Sequence, residues 1–196
     1  MAIRSNNTES GVIPSLDNWR AHLFDRRRFL LGLAGGSLSL LLPLPAPAED
    51  QRLDMAARWL LIGAVQARLF PSEPKSPGAR EINALAYLKW VVSDDNIDPE
   101  ERAFILRGCD WLEALTRERT GRGFTQLAAA EQDEMLEQIA RSEAGENWMS
   151  TLLLYIFEAL LSDPVYGGNP EGIGWRWLGH RPGFPRPNER NRYRAG

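Results

Sequence analysis

Cysteine is nearly absent from this chain of 196 residues; Cys109 is alone, so no internal disulfide can form. Histidine is almost as scarce, with His22 and His180 as the complete set. One thiol and two imidazoles far apart in sequence do not make a zinc or iron–sulfur site. There is no C-x-x-C-H, so no haem is attached covalently. A basic excess is missing too: 23 Lys and Arg face 26 Asp and Glu, for a net charge of −3. That balance argues against nucleic acid as a partner. No segment alternates polar and apolar residues as a strand would, and no internal repeat appears.

What is present begins with "DRRRFLLGLAGG", residues 25–36. Arg26, Arg27 and Arg28 stand directly before Phe29-Leu30, and an apolar stretch then runs to about Leu44. Gly32, Gly35 and Gly36 dilute it, and it is shorter than the roughly 20 residues of a membrane-spanning helix. "PAPAED" follows, with Ala46 and Ala48 at the small positions of an A-x-A cleavage site. Residues 1–48 therefore read as a twin-arginine signal peptide, an uncleaved anchor being the other reading. Its pathway carries folded proteins to the periplasm, so a cofactor-bearing passenger is expected.

Residues 49–162 read as a helical domain. Leu53, Ala57, Leu60, Ala64 and Leu69 recur near helical spacing over 49–70, and Pro71 ends that helix. Ile82, Leu85, Leu88 and Val92 mark a second over 79–93. "DPEE" starts a third, with Asp98 as cap, Pro99 in the first turn and Glu101 closing a capping box. Its apolar face holds Phe104, Ile105, Cys109, Leu112 and Leu115, and Gly121 ends it. Phe124 and Leu127 are expected to plug the core. Met135, Leu136 and Ile139 mark a fourth helix; Trp148, Leu152, Tyr155, Ile156, Ala159 and Leu160 mark a fifth.

The fold class is thus all-α: one bundle of about five helices with a long irregular tail, 163–196, rich in Gly, Pro and Trp. From Arg176 onward the tail is basic, with Arg176, Arg181, Arg186, Arg190, Arg192 and Arg194 against Glu189. Its Tyr166, Trp175, Trp177 and Phe184 are unlike a disordered segment. In an extended segment Trp175 and Trp177 would point to one side. They either meet a partner as anchors or fold back on the chain's own helices. "GGNPEGIG" lacks the Gly-Lys-Ser/Thr ending of a phosphate loop. A Ser162, Asp163 and His180 grouping has nothing to select it as a triad.

Several fragments occur in a distinctive order: Leu69-Phe70-Pro71, Pro77-Gly78-Ala79, then Phe124, Leu127 and Gln132. Asp163, Pro164, Tyr166, Gly167, Gly168 and Asn169 follow, and Gly174-Trp175 closes the set. This pattern resembles the gluconate 2-dehydrogenase subunit 3 family. The resemblance implies a small non-catalytic subunit with no cofactor of its own. It implies a large partner carrying FAD, of the glucose–methanol–choline oxidoreductase type, and often a multihaem cytochrome c subunit. It implies that this chain takes the folded flavoprotein to the twin-arginine translocase. On this reading Asp163, Pro164, Tyr166, Gly167, Gly168, Asn169, Gly174, Trp175 and Trp177 form the partner interface. A catalytic site in the tail loops, or a free-standing periplasmic binding protein, are the other functional readings. Residues after Pro187 lie outside the pattern.

Overall fold

The computed structural model describes residues 53–193; the expected export signal and cleavage site lie outside the described residues. Six α-helices follow one another: α1 Met55–Leu69, α2 Ala84–Val92, α3 Pro99–Thr120, α4 Ala129–Ile139, α5 Glu143–Leu161 and α6 Ile173–Leu178. Among the described residues there is no β-strand, only an isolated bridge between Glu73 and Ser76. Five bundle helices form as the apolar spacing predicts, but the second begins at Ala84 rather than near residue 79, because Asn83 at φ 58° breaks the helical course; the sixth helix lies within the tail.

Local chemistry explains the ends. Asp98 accepts from the Glu100 amide at 2.8 Å, and Pro99 occupies the first turn of α3. Gly121, at φ 69°, ends the helix in the left-handed region that an L side chain disfavours. The capping box expected from Glu101 is replaced by a longer-range bond. Tyr155 Oη donates to Glu101 Oε1 at 2.6 Å, so α3 is tied to α5. Burial and that carboxylate together raise the Tyr155 phenol above its ordinary pKa. Ser142 caps α5 by accepting from the Gly145 amide at 3.1 Å.

The core lies where α5 meets α2 and α3, with α1 and α4 completing the walls. Trp148, Leu152 and Ile156 of α5 are fully enclosed with Ile105 and Leu112 of α3 and Leu88 of α2. The Trp148 indole lies on the α3 backbone, and its Nε1 donates to the Ile105 carbonyl at 2.9 Å. Phe124 and Leu127 are buried as expected. Glu113, itself buried, holds their connector by accepting from the Phe124 amide at 3.0 Å and from Arg117 Nε at 2.7 Å. Cys109 is a core residue, and burial drives its thiol pKa strongly upward.

The face of α1 departs from the simple periodic reading. Leu60 is 69% exposed, while Leu61, Ile62, Val65 and Gln66 are buried. Mixed Ala, Gly and Trp positions broaden the apolar stripe of this helix, and packing on α2 and α5 selects the side one residue on. Gln66 thereby enters the core, where its Nε2 finds no hydrogen-bond partner. A buried donor left unpaired costs about 1–3 kcal/mol. Gln66→Met is therefore expected to stabilise the isolated chain by about 1 kcal/mol, measurable as a higher denaturant midpoint at unchanged slope.

Candidate interaction site

The segment after α5 is tied to the bundle by a set of side-chain-to-backbone hydrogen bonds. A helix C-terminus leaves its last carbonyls without intrahelical donors. Here the tail supplies them. Trp175 Nε1 donates to the Leu161 carbonyl at 2.8 Å, and Asn169 Nδ2 donates to the Ser162 carbonyl at 2.9 Å. The Ser162 amide and hydroxyl reach back to the Glu158 and Ala159 carbonyls.

Asn169 is the centre of this clamp. It is fully buried and sits at φ 49°, a conformation asparagine tolerates better than most residues. Its Oδ1 accepts from the Gly174 amide at 2.7 Å, which orients the start of α6. Its own amide donates to the Ile82 carbonyl at 2.8 Å, ahead of α2. One side chain thus joins the end of α5 to α6, and its backbone joins both to the turn before α2. Gly174 is required by proximity: a Cβ there would lie 2.3 Å from the Leu160 carbonyl oxygen.

The outer parts of the motif extend the clamp. Asp163 caps the turn Pro164–Tyr166 by accepting from the Val165 amide at 3.1 Å, and its Oδ2 accepts from Arg186 Nε at 2.9 Å. The Arg186 guanidinium lies over the Trp175 ring, 4.9 Å from its centroid. Gly167, at φ 91°, presents its carbonyl to Asn83 Nδ2 at 2.7 Å. The Tyr166 ring packs 5.0 Å from that of Trp90. The two upstream fragments meet as well, since the Ala79 amide donates to the Phe70 carbonyl at 2.7 Å.

The structure therefore brings all of the expected interface residues together at one end of the bundle, with different exposures. Asn169, Gly168 and Gly174 are buried, and Trp175 keeps only 7% exposure, folded back on its own helices. Tyr166 and Trp177 remain partly accessible. The extended course expected for Trp175 and Trp177 is corrected to a helix, so the rings do not share a side. Gly172 and Gly179, both in the left-handed region, bracket the six residues of α6. Glycines set both ends of that short helix, and the clamp supplies the stability its length cannot.

Sequence periodicity missed a second feature, an exposed apolar stripe on α5. Leu154, Phe157 and Leu161 are 54%, 38% and 53% exposed. The Phe157 ring meets buried Phe70 edge-on at 6.4 Å, and Phe70 meets Trp177 at 6.3 Å. The unbroken apolar run "LLLYIF" could have signalled this, being apolar beyond one face.

Two grooves lie along α1. A groove of about 490 Å³ runs past Trp59, Gly63 and Arg80, and a neighbouring one of about 450 Å³ shares Ala64, Arg80 and Thr125 with it. The titratable residues lining them are Arg80 and Arg68, and Arg68 is held by both oxygens of Asp133. Among the described residues no group of His, Cys, Asp and Glu could hold a metal ion, and no helix is long and apolar enough to cross a membrane. His180 is exposed in the turn after α6 and does not meet Ser162 in any hydrogen bond of the tail.

The molecule is thus a small all-α bundle that fastens its own tail through Asn83, Asn169 and Trp175, and whose helix α5 is apolar on its outer side as well as its inner one. The chain belongs to the gluconate 2-dehydrogenase subunit 3 family, whose model matches residues 56–183. The match runs from the first turn of α1 through the clamp and α6. No curated protein and no solved structure matches the chain.

Proposed function

We propose that this chain is the small, non-catalytic subunit of a periplasmic FAD-dependent dehydrogenase that oxidises a sugar, polyol or sugar acid. It binds a flavoprotein of the glucose–methanol–choline type that folds and takes up FAD in the cytoplasm. Arg26, Arg27, Phe29 and Leu30 then direct the assembled pair to the twin-arginine translocase. The signal is cut after Ala48, and the complex works at the outer face of the membrane, where a multihaem cytochrome c accepts electrons.

One observation carries the non-catalytic reading. The family's most distinctive residues, Asp163 to Trp175, are engaged with the chain's own backbone. Asn169 has both side-chain polar atoms satisfied internally and is closed to solvent. Such residues hold a shape; they do not present a general acid, base or nucleophile to a substrate. Membership in a family described as a dehydrogenase subunit supports the existence of larger companions.

The purified chain, expressed alone, is expected to be colourless and inactive toward gluconate, sugars and polyols with a dye acceptor. Co-expressed with its flavoprotein, it is expected to co-elute with bound FAD and dye-linked activity. Turnover by the isolated chain would refute the reading.

A further inference from the structure

We propose that the outer face of α5, with the adjoining edge of α6, is the docking surface for the larger subunit, and that the facing surface is apolar at its centre and acidic at its rim. The inference rests on the subunit reading above and assigns it a place on the molecule.

The face is continuous. Leu154, Phe157 and Leu161 are spaced three and four residues apart, so they line one side of α5. The Leu161 carbonyl receives the Trp175 indole, which sets α6 against the end of the stripe. Phe70 bridges Phe157 to Trp177, and Leu178 continues the surface at 40% exposure. The opposite side of α5 already carries Trp148, Leu152 and Ile156 in the core. A helix apolar on both sides is ordinarily covered on both sides. Scattered exposed leucines need no explanation, but a joined run of leucine and aromatic residues on one helix marks an interaction surface.

Charge names the occupant. Arg176 and Arg181 flank Trp177 and Leu178 in sequence, both are exposed, and Arg181 has no acidic partner among the described residues. From Arg176 onward the tail carries six arginines against Glu189. A second copy of this chain would bring the same basic tail to the contact, and like charges set against each other disfavour that pairing. An acidic rim on a larger protein complements it. The clamp gives the face its rigidity, since Asn169 and Trp175 fix α6 on α5 before any partner arrives. Their burial and the exposure of the stripe divide the labour between holding the shape and making the contact.

The test uses the assembled complex, isolated through a C-terminal affinity tag on this chain. Wild type is expected to retain a larger FAD-containing subunit. Leu154→Glu and Leu161→Glu, both at exposed positions, are expected to weaken that association by about thirty-fold or more, as loss of an interface hot spot does. Arg181→Glu is expected to weaken it several-fold and to lessen its dependence on salt. Met55→Glu, also exposed but on α1, is expected to change nothing. Thermal melts of the free variants check that each remains folded. Hydrogen exchange on the wild-type complex gives a readout free of any substitution, with slowing expected over 150–161 and 173–178.

If wild type retains no larger subunit, the subunit reading falls and the docking face falls with it. If wild type and both leucine variants retain it equally and α5 exchange is unaltered, the face alone is wrong and the subunit reading stands. A dimer of this chain, or sedimentation with phosphatidylserine vesicles, that is lost in Leu161→Glu would overturn the assigned occupant.

Discussion

Gly108→Ala is expected to destabilise the isolated chain by about 4 kcal/mol, lowering its melting temperature by roughly 15 °C. On an exposed helix the same change would stabilise by about 1 kcal/mol, because alanine is the better helix former. The sign is reversed by geometry. A Cβ at position 108 would lie 2.1 Å from Trp148 Nε1 and 2.2 Å from Cδ1. That indole is fully buried and cannot swing aside as an exposed side chain would. Moving it strains the packing of α5 on α3 and breaks the bond from Nε1 to the Ile105 carbonyl. Overpacking and a lost buried bond each contribute up to about 3 kcal/mol, against the smaller gain in helix propensity. Calorimetry or circular dichroism decides the matter, and a melting temperature equal to or above wild type would mean that the indole does not lie on the α3 backbone.

Asn169→Ala is expected to cost about 3–5 kcal/mol and to loosen the tail ahead of the bundle. The change leaves the Gly174 amide and the Ser162 carbonyl without their partners. It also forces alanine into the left-handed region at φ 49°, worth about 1–2 kcal/mol. Asn169→Gly separates these contributions, because glycine removes the backbone strain and still lacks both bonds. Limited trypsin digestion is the more specific readout. Cleavage after Arg176 should accelerate in both variants before sites within α3 are cut; Arg181 precedes Pro182 and is not a tryptic site. Uniform cleavage throughout the chain would assign Asn169 to global stability alone.

These residues also mark how far sequence reasoning reached. The five bundle helices were legible because Leu152, Ile156 and Ala159, or Met135, Leu136 and Ile139, repeat at helical spacing with one clear dry side. The start of α3 was legible because Asp98 and Pro99 act through local geometry. Glu101 was misread as a local cap because its partner, Tyr155, lies 54 residues away. Leu60 was misplaced because α1 is apolar over more than one face, and only tertiary packing selects Leu61 and Ile62. The short helix α6 was hidden by flanking glycine and proline, whose local meaning is a break; Asn169 and Trp175 hold it from outside. The motif itself was readable as a motif. Its division into buried clamp and exposed neighbour was not, since exposure at Leu154 and burial at Trp175 are properties of the packed molecule.

In the role proposed above, the division would matter because a subunit that guides a folded flavoprotein gains from a contact surface ordered in advance. Preorganisation lowers the entropic cost of association. The stripe on α5 meets that need, since the helix beneath it is fixed by the core and its end is fixed by the clamp.

The most direct test of the account changes Arg26 and Arg27 together to lysine and follows the flavoprotein partner by immunoblot and dye-linked activity in periplasmic and cytoplasmic fractions. The account predicts that the partner stays in the cytoplasm, folded and loaded with FAD, and that dye-linked activity is lost from the periplasm. Undiminished arrival of active flavoprotein outside the cytoplasm would contradict it.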